Sequence, residues 1–453
     1  MVDLIEDFFN NNTSNNLNEL MADVIAINNL ENNGVTLNSN IKQKLFDYQI
    51  DHTTNIVNCL INEKKVIDGS DTGTGKTYTT IAACRQLRLK PFIICPKSIL
   101  NTWIKVCKYF NVPYLGVINY ETIRNGKYYD PKTNKKIKCP YLIDYEWKLP
   151  KDSILIFDEV HRCRHINTLN GKLLYAGRDA EHCLLLSATI IDSLEDFKIY
   201  GYVLGLYDNI NQGINWILRV NNMQGLHKKI YPLKGSRMKI SDLGDKFPSN
   251  QISVDTYTIS NENTKKIQSL YEQMKTYSGK NIYVKILRAR QHIELSKVPL
   301  FVELTNDLLN TGMSVVIFVN FTDTLNTLSK VLKTTCLVHG KQSLKERDNN
   351  IEQFMKNKER VIICNMRSGS QAISLHDKYG GYPRVSLISP SFSSTDLIQA
   401  LGRIHRAGSK SPALQKIMLC AGTVEDIIAK NIKKKLECIS MINDDDMNNK
   451  IFV

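Results

Sequence analysis

The stretch Ser70-Asp71-Thr72-Gly73-Thr74-Gly75-Lys76-Thr77 sets glycines, a lysine and a threonine in the order that holds a polyphosphate. Gly73 and Gly75 free the backbone to curl with its N–H groups inward, Lys76 reaches the β- and γ-phosphates, and Thr77 offers a hydroxyl to Mg²⁺. Ser70 stands where the G-x-x-x-x-G-K-T pattern has its first glycine. The Gly-Thr-Gly-Lys-Thr core is intact, so the loop is expected to cradle ATP, with Ser70, Asp71, Thr72 and Thr74 completing its wall. Such a loop demands an acid at another strand tip. Asp158 and Glu159 follow the apolar run Ile154-Leu155-Ile156-Phe157 directly. Asp158 is placed to hold Mg²⁺, and Glu159 to orient and deprotonate the attacking water. Ser187 and Thr189 put hydroxyls after a further apolar run. Much later, Gln399 is followed by Arg403 and Arg406 on an expected helix, and arginines that meet a γ-phosphate would make hydrolysis depend on domain position.

One constellation points elsewhere. His161 and His165 stand four apart with Cys163 between them, a spacing that shares a face on a helix. Arg162 and Arg164 flank them, and no further close Cys or His completes a tetrahedral set. His161 therefore reads as part of the strand-end element, and no structural metal is expected there.

Phosphate loops and strand-tip acids need strands that end on one edge of a sheet, beside helix starts. Short apolar runs supply them: Val66-Ile67, Phe92 to Cys95, Leu115 to Ile118, Ile154 to Phe157 and Cys183 to Leu186. A second series follows after a gap, at Val315 to Val319, Cys336 to Val338, Val361 to Cys364, Val385 to Ile388 and Lys416 to Leu419. Continuous apolar runs alternating with helical stretches predict buried parallel strands. The fold class is thus α/β, with two tandem doubly wound parallel-sheet domains and an ATP cleft between them. Expected boundaries are a poorly ordered leader over 1–40, an ATP-binding lobe over 41–220, a linker over 221–250, a second lobe over 251–438 and a tail over 439–453. The leader holds twelve asparagines and little that could pack. Within the first lobe, Asn125 to Lys151 reads as an insertion rich in lysine, tyrosine and tryptophan. That mix suits either a solvated loop or a surface that tracks a nucleic-acid backbone and stacks on bases.

Composition narrows the setting. Of 453 residues, 59 are Lys or Arg and 45 Asp or Glu, a formal charge of +14 that favours polyanions such as nucleic acid or an anionic membrane. No apolar run approaches the roughly 18 residues of a membrane span. The start, Met1-Val-Asp-Leu-Ile-Glu, is acidic before it is apolar, the wrong order for a secretory signal. Eleven cysteines without a CxxC fit neither a disulfide framework nor a zinc ribbon, so a reducing intracellular location is expected.

Taken in order, these motifs resemble the superfamily 2 helicases and translocases with tandem RecA-like domains, and most closely their Snf2-like branch. Phe46-Asp-Tyr-Gln49 looks like the upstream adenine-reading element, with Gln49 as the base contact. Cys95-Pro-Lys-Ser-Ile-Leu-Asn-Thr-Trp103 resembles the Snf2 pattern of a strand, a proline and a later tryptophan. Asn119 to Arg124 is similar to the next Snf2 element, Asp158 to His161 to the DExH box, and Ser187-Ala-Thr189 to the motif that couples hydrolysis to movement, in which His161 shares. In the second half, Val316 to Phe321, His339-Gly340 with Arg347 and Phe354, Ser368 to Leu375 and Gln399 to Arg406 resemble motifs IV to VI. Gly422-Thr-Val-Glu-Asp426 is similar to the Snf2 tail. Motif V lacks the paired glycines usual in the branch, and the stretch between motifs III and IV is too short for the insertions of chromatin remodellers. Compact, Asn-rich proteins of this kind resemble those of large DNA viruses.

The resemblance implies an ATP- and Mg²⁺-dependent motor on nucleic acid. Lys76, Glu159, Gln399, Arg403 and Arg406 would be its catalytic set, Thr77 and Asp158 its metal ligands, and Lys97, Thr102, Arg124 and Ser368 its backbone contacts. Duplex DNA is the expected track, with RNA as the alternative. A monomer without membrane attachment is expected, working with transcription or replication machinery in a host nucleus or a cytoplasmic replication site. A P-loop kinase or nucleotide switch would leave the Gln399 to Arg406 set without a task, and a non-catalytic scaffold would not need the intact acids and lysine.

Overall fold

A computed structural model describes residues 35–189, 196–220, 223–246, 250–257, 281–369, 373–391, 393–406, 408–421, 423, 425–426, 428–431 and 433. The chain divides into two compact units, one holding the chain up to Ser70 and Lys76–Met238, the other Asp71–Gly75 and the chain from Lys239 onward.

The strands of the first unit are β1 (Lys65–Asp68), β2 (Lys90–Cys95), β3 (Gly116–Asn119), β4 (Lys127–Tyr129), β5 (Lys136–Lys138), β6 (Leu142–Ile143), β7 (Glu146–Trp147), β8 (Ser153–Asp158), β9 (Cys183–Leu186) and β10 (Gly235–Ser236). Six of them form one parallel sheet in the order β10-β1-β9-β8-β2-β3. All six residues of β8 are buried, as strands covered by crossover helices on both faces require. Helices Asp47–Glu63, Lys76–Leu87 and Leu100–Tyr109 contribute Ile56, Leu60, Ile81, Trp103 and Val106 to one core with Ile93, Ile156 and Leu184 of the sheet. Because the strands are parallel, Asp68, Asp158, the residues after Leu186 and those after Cys95 all emerge on one edge.

The second unit has β11 (Asn250–Tyr257), β12 (Ser314–Val319), β13 (Leu337–Val338), β14 (Val361–Asn365), β15 (Arg384–Ile388) and β16 (Ala413–Cys420), again all parallel, in the order β11-β16-β15-β12-β14-β13. Separate apolar clusters include Val316, Phe318 and Ile388 in one and Val315, Ile317 and Leu387 in the other. Neighbouring residues of one strand thus serve opposite layers, the period-2 consequence of a sheet covered on both faces. None of the helices among the described residues is long and apolar enough to cross a membrane.

The sheet strands read from apolar runs match these to within a few residues, but two sheet strands carry no such signal. The two residues of β10 are Gly-Ser, and they fall in the stretch read as a linker, where Met223–Ile230 is also helical. A two-residue edge strand needs only backbone pairing, here with Ile67 and Asp68 of β1. In β11 the order Ile252-Ser-Val254-Asp-Thr-Tyr257 alternates, and its pairing with eight residues of β16 gives the apolar members a partner. Residues of the leader over 1–34 and of the tail lie outside the described residues.

The Asn125–Lys151 insertion is not a plain loop. It forms two hairpins, β4 with β5 and β6 with β7. Tyr128 and Trp147 are buried and meet Phe92 with ring centroids 6.4 and 5.4 Å away. These two aromatics are therefore core rather than stacking platforms for bases, because each ring gains more from burial against Phe92 than from solvent.

Candidate active site

The loop between β1 and the helix Lys76–Leu87 carries the candidate phosphate residues. Gly73 and Gly75 sit at φ +93° and +98°, left-handed values that a side chain would oppose, so the curl depends on glycine at both places. Lys76 Nζ donates to the Ser70 carbonyl at 2.6 Å, and Thr74 Oγ1 donates to the Asp71 carbonyl at 2.9 Å. The loop runs straight into a twelve-residue helix whose free N–H groups and positive dipole end face the same place. Glycines in the required conformation, a lysine over the loop and a helix start fit a nucleotide polyphosphate. Thr77 is half-buried at the head of that helix, beside the loop, where its hydroxyl would be a candidate ligand for Mg²⁺.

Ser70 shows why a glycine is not needed in first position. It is fully buried, its N–H donates to Asp68 Oδ1 at 2.9 Å, its Oγ accepts from Met238 N at 2.9 Å, and His52 Nε2 lies 3.2 Å away. The same nitrogen lies 3.2 Å from Asp68 Oδ2, and His52 Nδ1 lies 3.0 Å from Ser236 Oγ. Arg237 also donates to the Gly69 carbonyl. His52 thus ties the first long helix, the end of β1, the loop start and the edge strand β10 together. Burial would raise the Asp68 carboxyl, but the charge and hydrogen bond of His52, with Lys76 and Ser70, outweigh it and hold Asp68 below the usual carboxylate range. Nothing in the sequence singles out this network, since His52 and Asp68 belong to no recognisable pattern.

Replacing His52 by alanine should leave a buried carboxylate and two hydroxyls short of a partner. The first unit is expected to lose about 3 kcal/mol, the scale for breaking a buried charged pair. All three tryptophans, Trp103, Trp147 and Trp216, precede Met238, so tryptophan fluorescence in urea reports this unit's transition. An unchanged midpoint would show the network to be dispensable.

At the tip of β8, Asp158 is buried, and Trp103 Nε1 donates to its Oδ2 at 2.8 Å while Tyr120 O–H donates to its carbonyl at 2.8 Å. Burial, and then the charge of Glu159, push the Asp158 carboxyl up to about 7 against the Trp103 bond and Lys76. The tryptophan read as a Snf2 signature therefore has a physical task, orienting the acid; Tyr120 lies in the Asn119 to Arg124 element, but that pattern does not announce its bond to the Asp158 carbonyl. Glu159 sits at φ +55°, a conformation costly for a residue with a side chain, which turns the chain sharply at the strand end. Its Oε2 lies 3.4 Å from His161 Nδ1, and that nitrogen lies 3.1 Å from Ser187 Oγ. Ser187 Oγ in turn donates to the Thr189 carbonyl at 2.8 Å. The structure thus joins Glu159, His161, Ser187 and Thr189 in one connected series of polar neighbours. His165 points elsewhere, with Nδ1 3.8 Å from Asp196.

Gln49 is buried in the first turn of the helix Asp47–Glu63, where its Oε1 accepts from Phe46 N at 3.1 Å in a capping arrangement. Lys97 and Thr102 are exposed just beyond β2, and Arg124 is half-buried beyond β3, the neighbouring strand. Ser368 lies in the short helix Met366–Gly369, with its side chain outside the described residues.

In the second unit the helix carrying Gln399 ends at Leu401, one residue before Gly402. Arg403 and Arg406 therefore do not share a helical face, as their spacing suggested. They converge through a turn instead: Arg403 Nη1 donates to the Ile373 carbonyl at 3.2 Å, and Arg406 Nη1 donates to the same carbonyl at 2.9 Å and to Ser374 Oγ at 2.6 Å. The helix stops at Gly402, and the Ile373 carbonyl and the Ser374 hydroxyl hold the guanidinium groups, while Leu375 N donates to the Arg403 carbonyl at 2.9 Å. His376 lies beside them, its ring pushed down to about 4 by burial and by Arg406 and Arg384, so it adds no charge near neutral pH. Three buried charged residues of this unit had no sequence signal. Glu294 accepts from the backbone of Asn320 and Phe321 at 2.9 and 3.0 Å, and Lys297 pairs with Glu425 at 2.7 Å.

Known proteins resemble the chain in both of its halves. Residues 42–192 match the family described as the res subunit of type III restriction enzymes, and residues 296–408 the helicase conserved C-terminal domain. A protein of Acanthamoeba polyphaga mimivirus that carries the name of an ATP-dependent RNA helicase is 39% identical over 91% of this chain and 86% of its own length. The mouse chromodomain-helicase-DNA-binding protein 1-like is 22% identical over 88% of this chain, which spans only 50% of that protein. A solved SWI2/SNF2 ATPase core of Sulfolobus solfataricus in complex with double-stranded DNA aligns over 85% of this chain and 89% of that one, at 18% identity and a TM-score of 0.35. With a relative this similar over nearly its whole length, and with both helicase families matched in order, the chain belongs to the ATP-dependent superfamily 2 helicases and has relatives of the Snf2 type.

Proposed function

We propose that this helicase is a translocase that tracks duplex DNA, with ATP hydrolysis driving its steps. The observation that carries the reading is the segment Cys95 to Trp103: its tryptophan, the Snf2-type element, closes directly on Asp158, so the part of the chain most particular to duplex trackers is built into the metal-binding acid. The names of two sets of relatives support DNA as well, the mouse protein above and a yeast DNA repair and recombination protein 25% identical over 31% of this chain. A second reading, RNA as the track, is favoured by the name of the mimivirus relative.

In the proposed cycle the loop 70–77 and Lys76 would hold the triphosphate, Thr77 and Asp158 would hold Mg²⁺, and Glu159 would take the proton of the attacking water. Mg²⁺ supplies charge neutralisation at the phosphates. Gln399, Arg403 and Arg406 are assigned the transition-state charge. The series His161, Ser187, Thr189 would pass the state of Glu159 to the strand end after β9, and Lys97, Thr102, Arg124 and Ser368 would hold the phosphate backbone.

ATPase assays with duplex DNA, single-stranded DNA and RNA decide between the tracks. Duplex DNA is expected to stimulate turnover at least about tenfold, the scale of one well-made charged interaction in the transition state, and more than either single strand. Strong stimulation by RNA with none by duplex DNA would overturn the assignment.

A further inference from the structure

The β4–β5 hairpin has two unlike faces. In register, Lys127 pairs with Lys138, Tyr128 with Ile137 and Tyr129 with Lys136. Alternation then puts Lys127, Tyr129, Lys136 and Lys138 on one face and Tyr128 and Ile137 on the other. Tyr128 is buried against Phe92, so the lysine face is turned away from the sheet, and all three of its lysines are exposed.

This face is costly as a free surface. Like charges directly across a strand pair are destabilising, yet Lys127 and Lys138 stand opposite each other. Among the described residues none of the three lysines has a carboxylate within ion-pair distance, whereas Lys64, Lys90 and Lys148 have Glu181, Asp152 and Glu146 at 3.0, 2.6 and 2.7 Å. The nearest acid in sequence, Asp130, is turned into its own loop, accepting from Lys132 N at 3.0 Å and from Thr133 Oγ1 at 2.8 Å.

The mount is nevertheless firm. Gly116 in β3 carries no side chain where a Cβ would come within 2.9 Å of the Phe92 ring and 3.3 Å of Tyr128, which lets the rings close up. Tyr141 and Trp147 meet Phe92 edge-on at 5.8 and 5.4 Å, and Trp147 Nε1 donates to the Leu173 carbonyl at 3.0 Å. The hairpin also starts three residues after a candidate backbone-binding residue, Arg124: Cys139 N, just past β5, donates to the Gly126 carbonyl at 2.8 Å, and Tyr145 O–H of the neighbouring β6–β7 hairpin donates to the Arg124 carbonyl at 2.8 Å.

A rigidly mounted row of three unpaired cations with one aromatic, next to Arg124, is a surface built for a polyanion of regular charge spacing. We propose that the outward face of the β4–β5 hairpin, Lys127, Tyr129, Lys136 and Lys138, is an auxiliary binding surface for the phosphate backbone of the duplex on which this motor acts. The proposal rests on the nucleic-acid reading above and extends the binding surface beyond the helicase motifs. Each lysine neutralises one phosphate and releases its counterion.

The test is the salt dependence of binding of the full chain to a labelled DNA duplex, for the wild type and for a variant with Lys127→Gln, Lys136→Gln and Lys138→Gln together. Removing one phosphate-neutralising lysine should flatten the slope of log K against log salt by about 0.9, so the triple variant should be flatter by about 2.7. Between about 50 and 200 mM salt the affinity of the wild type should then fall about 40-fold further than that of the variant. Turnover without nucleic acid should be equal in the two, since the hairpin touches no nucleotide residue. A control that removes the paired Lys64 and Lys90 should keep the wild-type slope. Equal slopes for wild type and triple variant overturn the proposal, as does an equal flattening by the control, which would mean net charge alone is acting. Wild-type protein that binds no nucleic acid, with turnover that no nucleic acid stimulates, overturns the function reading itself, a result visible before any variant is compared.

Discussion

Lys76→Ala and Glu159→Gln are each expected to abolish nucleic-acid-stimulated ATP turnover while leaving a folded protein. Lys76 donates to the Ser70 carbonyl, but a loop whose curl is set by left-handed glycines at 73 and 75 does not need that bond to keep its shape. The variant gives up the cation at the β- and γ-phosphates, worth about 10²–10³ in turnover when a single preorganised charge stabiliser is removed. Glu159→Gln keeps the size of the side chain and removes its basicity, for about 10²–10⁴ in rate. The two should differ in binding. Lysine holds the ground-state triphosphate as well as the transition state, so Lys76→Ala should weaken ATP affinity, whereas Glu159→Gln should bind ATP normally and hydrolyse it slowly. Steady-state ATPase together with binding of a fluorescent ATP analogue separates these effects. Wild-type turnover in either variant would sink the proposed mechanism.

The largest stability effect is expected at Lys297 in the second unit. Its side chain is 1% exposed and its ammonium donates to Glu425 at 2.7 Å, to Ser389 Oγ at 3.1 Å and to the Met418 carbonyl at 3.2 Å. Glu425 completes the arrangement by accepting from Cys420 N at 2.8 Å. Three donor directions of the ammonium are thus satisfied, the condition under which a buried charge is tolerated. Lys297→Met would leave Glu425 buried without its cation, and the second unit is expected to lose about 3–5 kcal/mol. Adding Glu425→Gln removes the stranded charge and should recover part of the loss, a coupling that only directly interacting groups show. Amide hydrogen exchange of peptides covering β15 and β16 reports the change, and tryptophan fluorescence should show the first unit unaffected. If the single variant exchanges like the wild type, the ion pair contributes nothing net.

These two sites differ in how far a linear chain discloses them. The candidate phosphate residues were legible because their pattern is local: eight consecutive positions make up the loop, and an apolar strand ending in Asp158 and Glu159 announces an acid at a sheet edge. The parallel sheets were legible for a similar reason, since strands buried on both faces must be nearly continuous apolar runs. Signals failed where a residue's task depends on partners distant in sequence. His52, Asp68 and Ser236 carry no motif, and they become one network only when β10 pairs with β1. The aromatic and basic insertion was readable in two ways because composition does not say which side of a strand faces inward; hairpin register sent Tyr128 to the core and the lysines outward.

Sequence alone pointed to the chemistry and determined the class: a Gly-Thr-Gly-Lys-Thr loop and a strand-tip acid pair need strands that end on a common edge, and the order of the motifs already implied a helicase-type α/β architecture. Tertiary structure decided the supports. It placed Trp103 on Asp158, ended the helix before Arg403 so that both arginines rest on the Ile373 carbonyl, and buried Lys297 against Glu425. The physical reason is that the candidate catalytic groups of the loop and the strand tip are fixed by covalent neighbours over a few residues. The groups that hold them are chosen by burial, where any donor or acceptor brought close enough by the fold must satisfy the charge beside it.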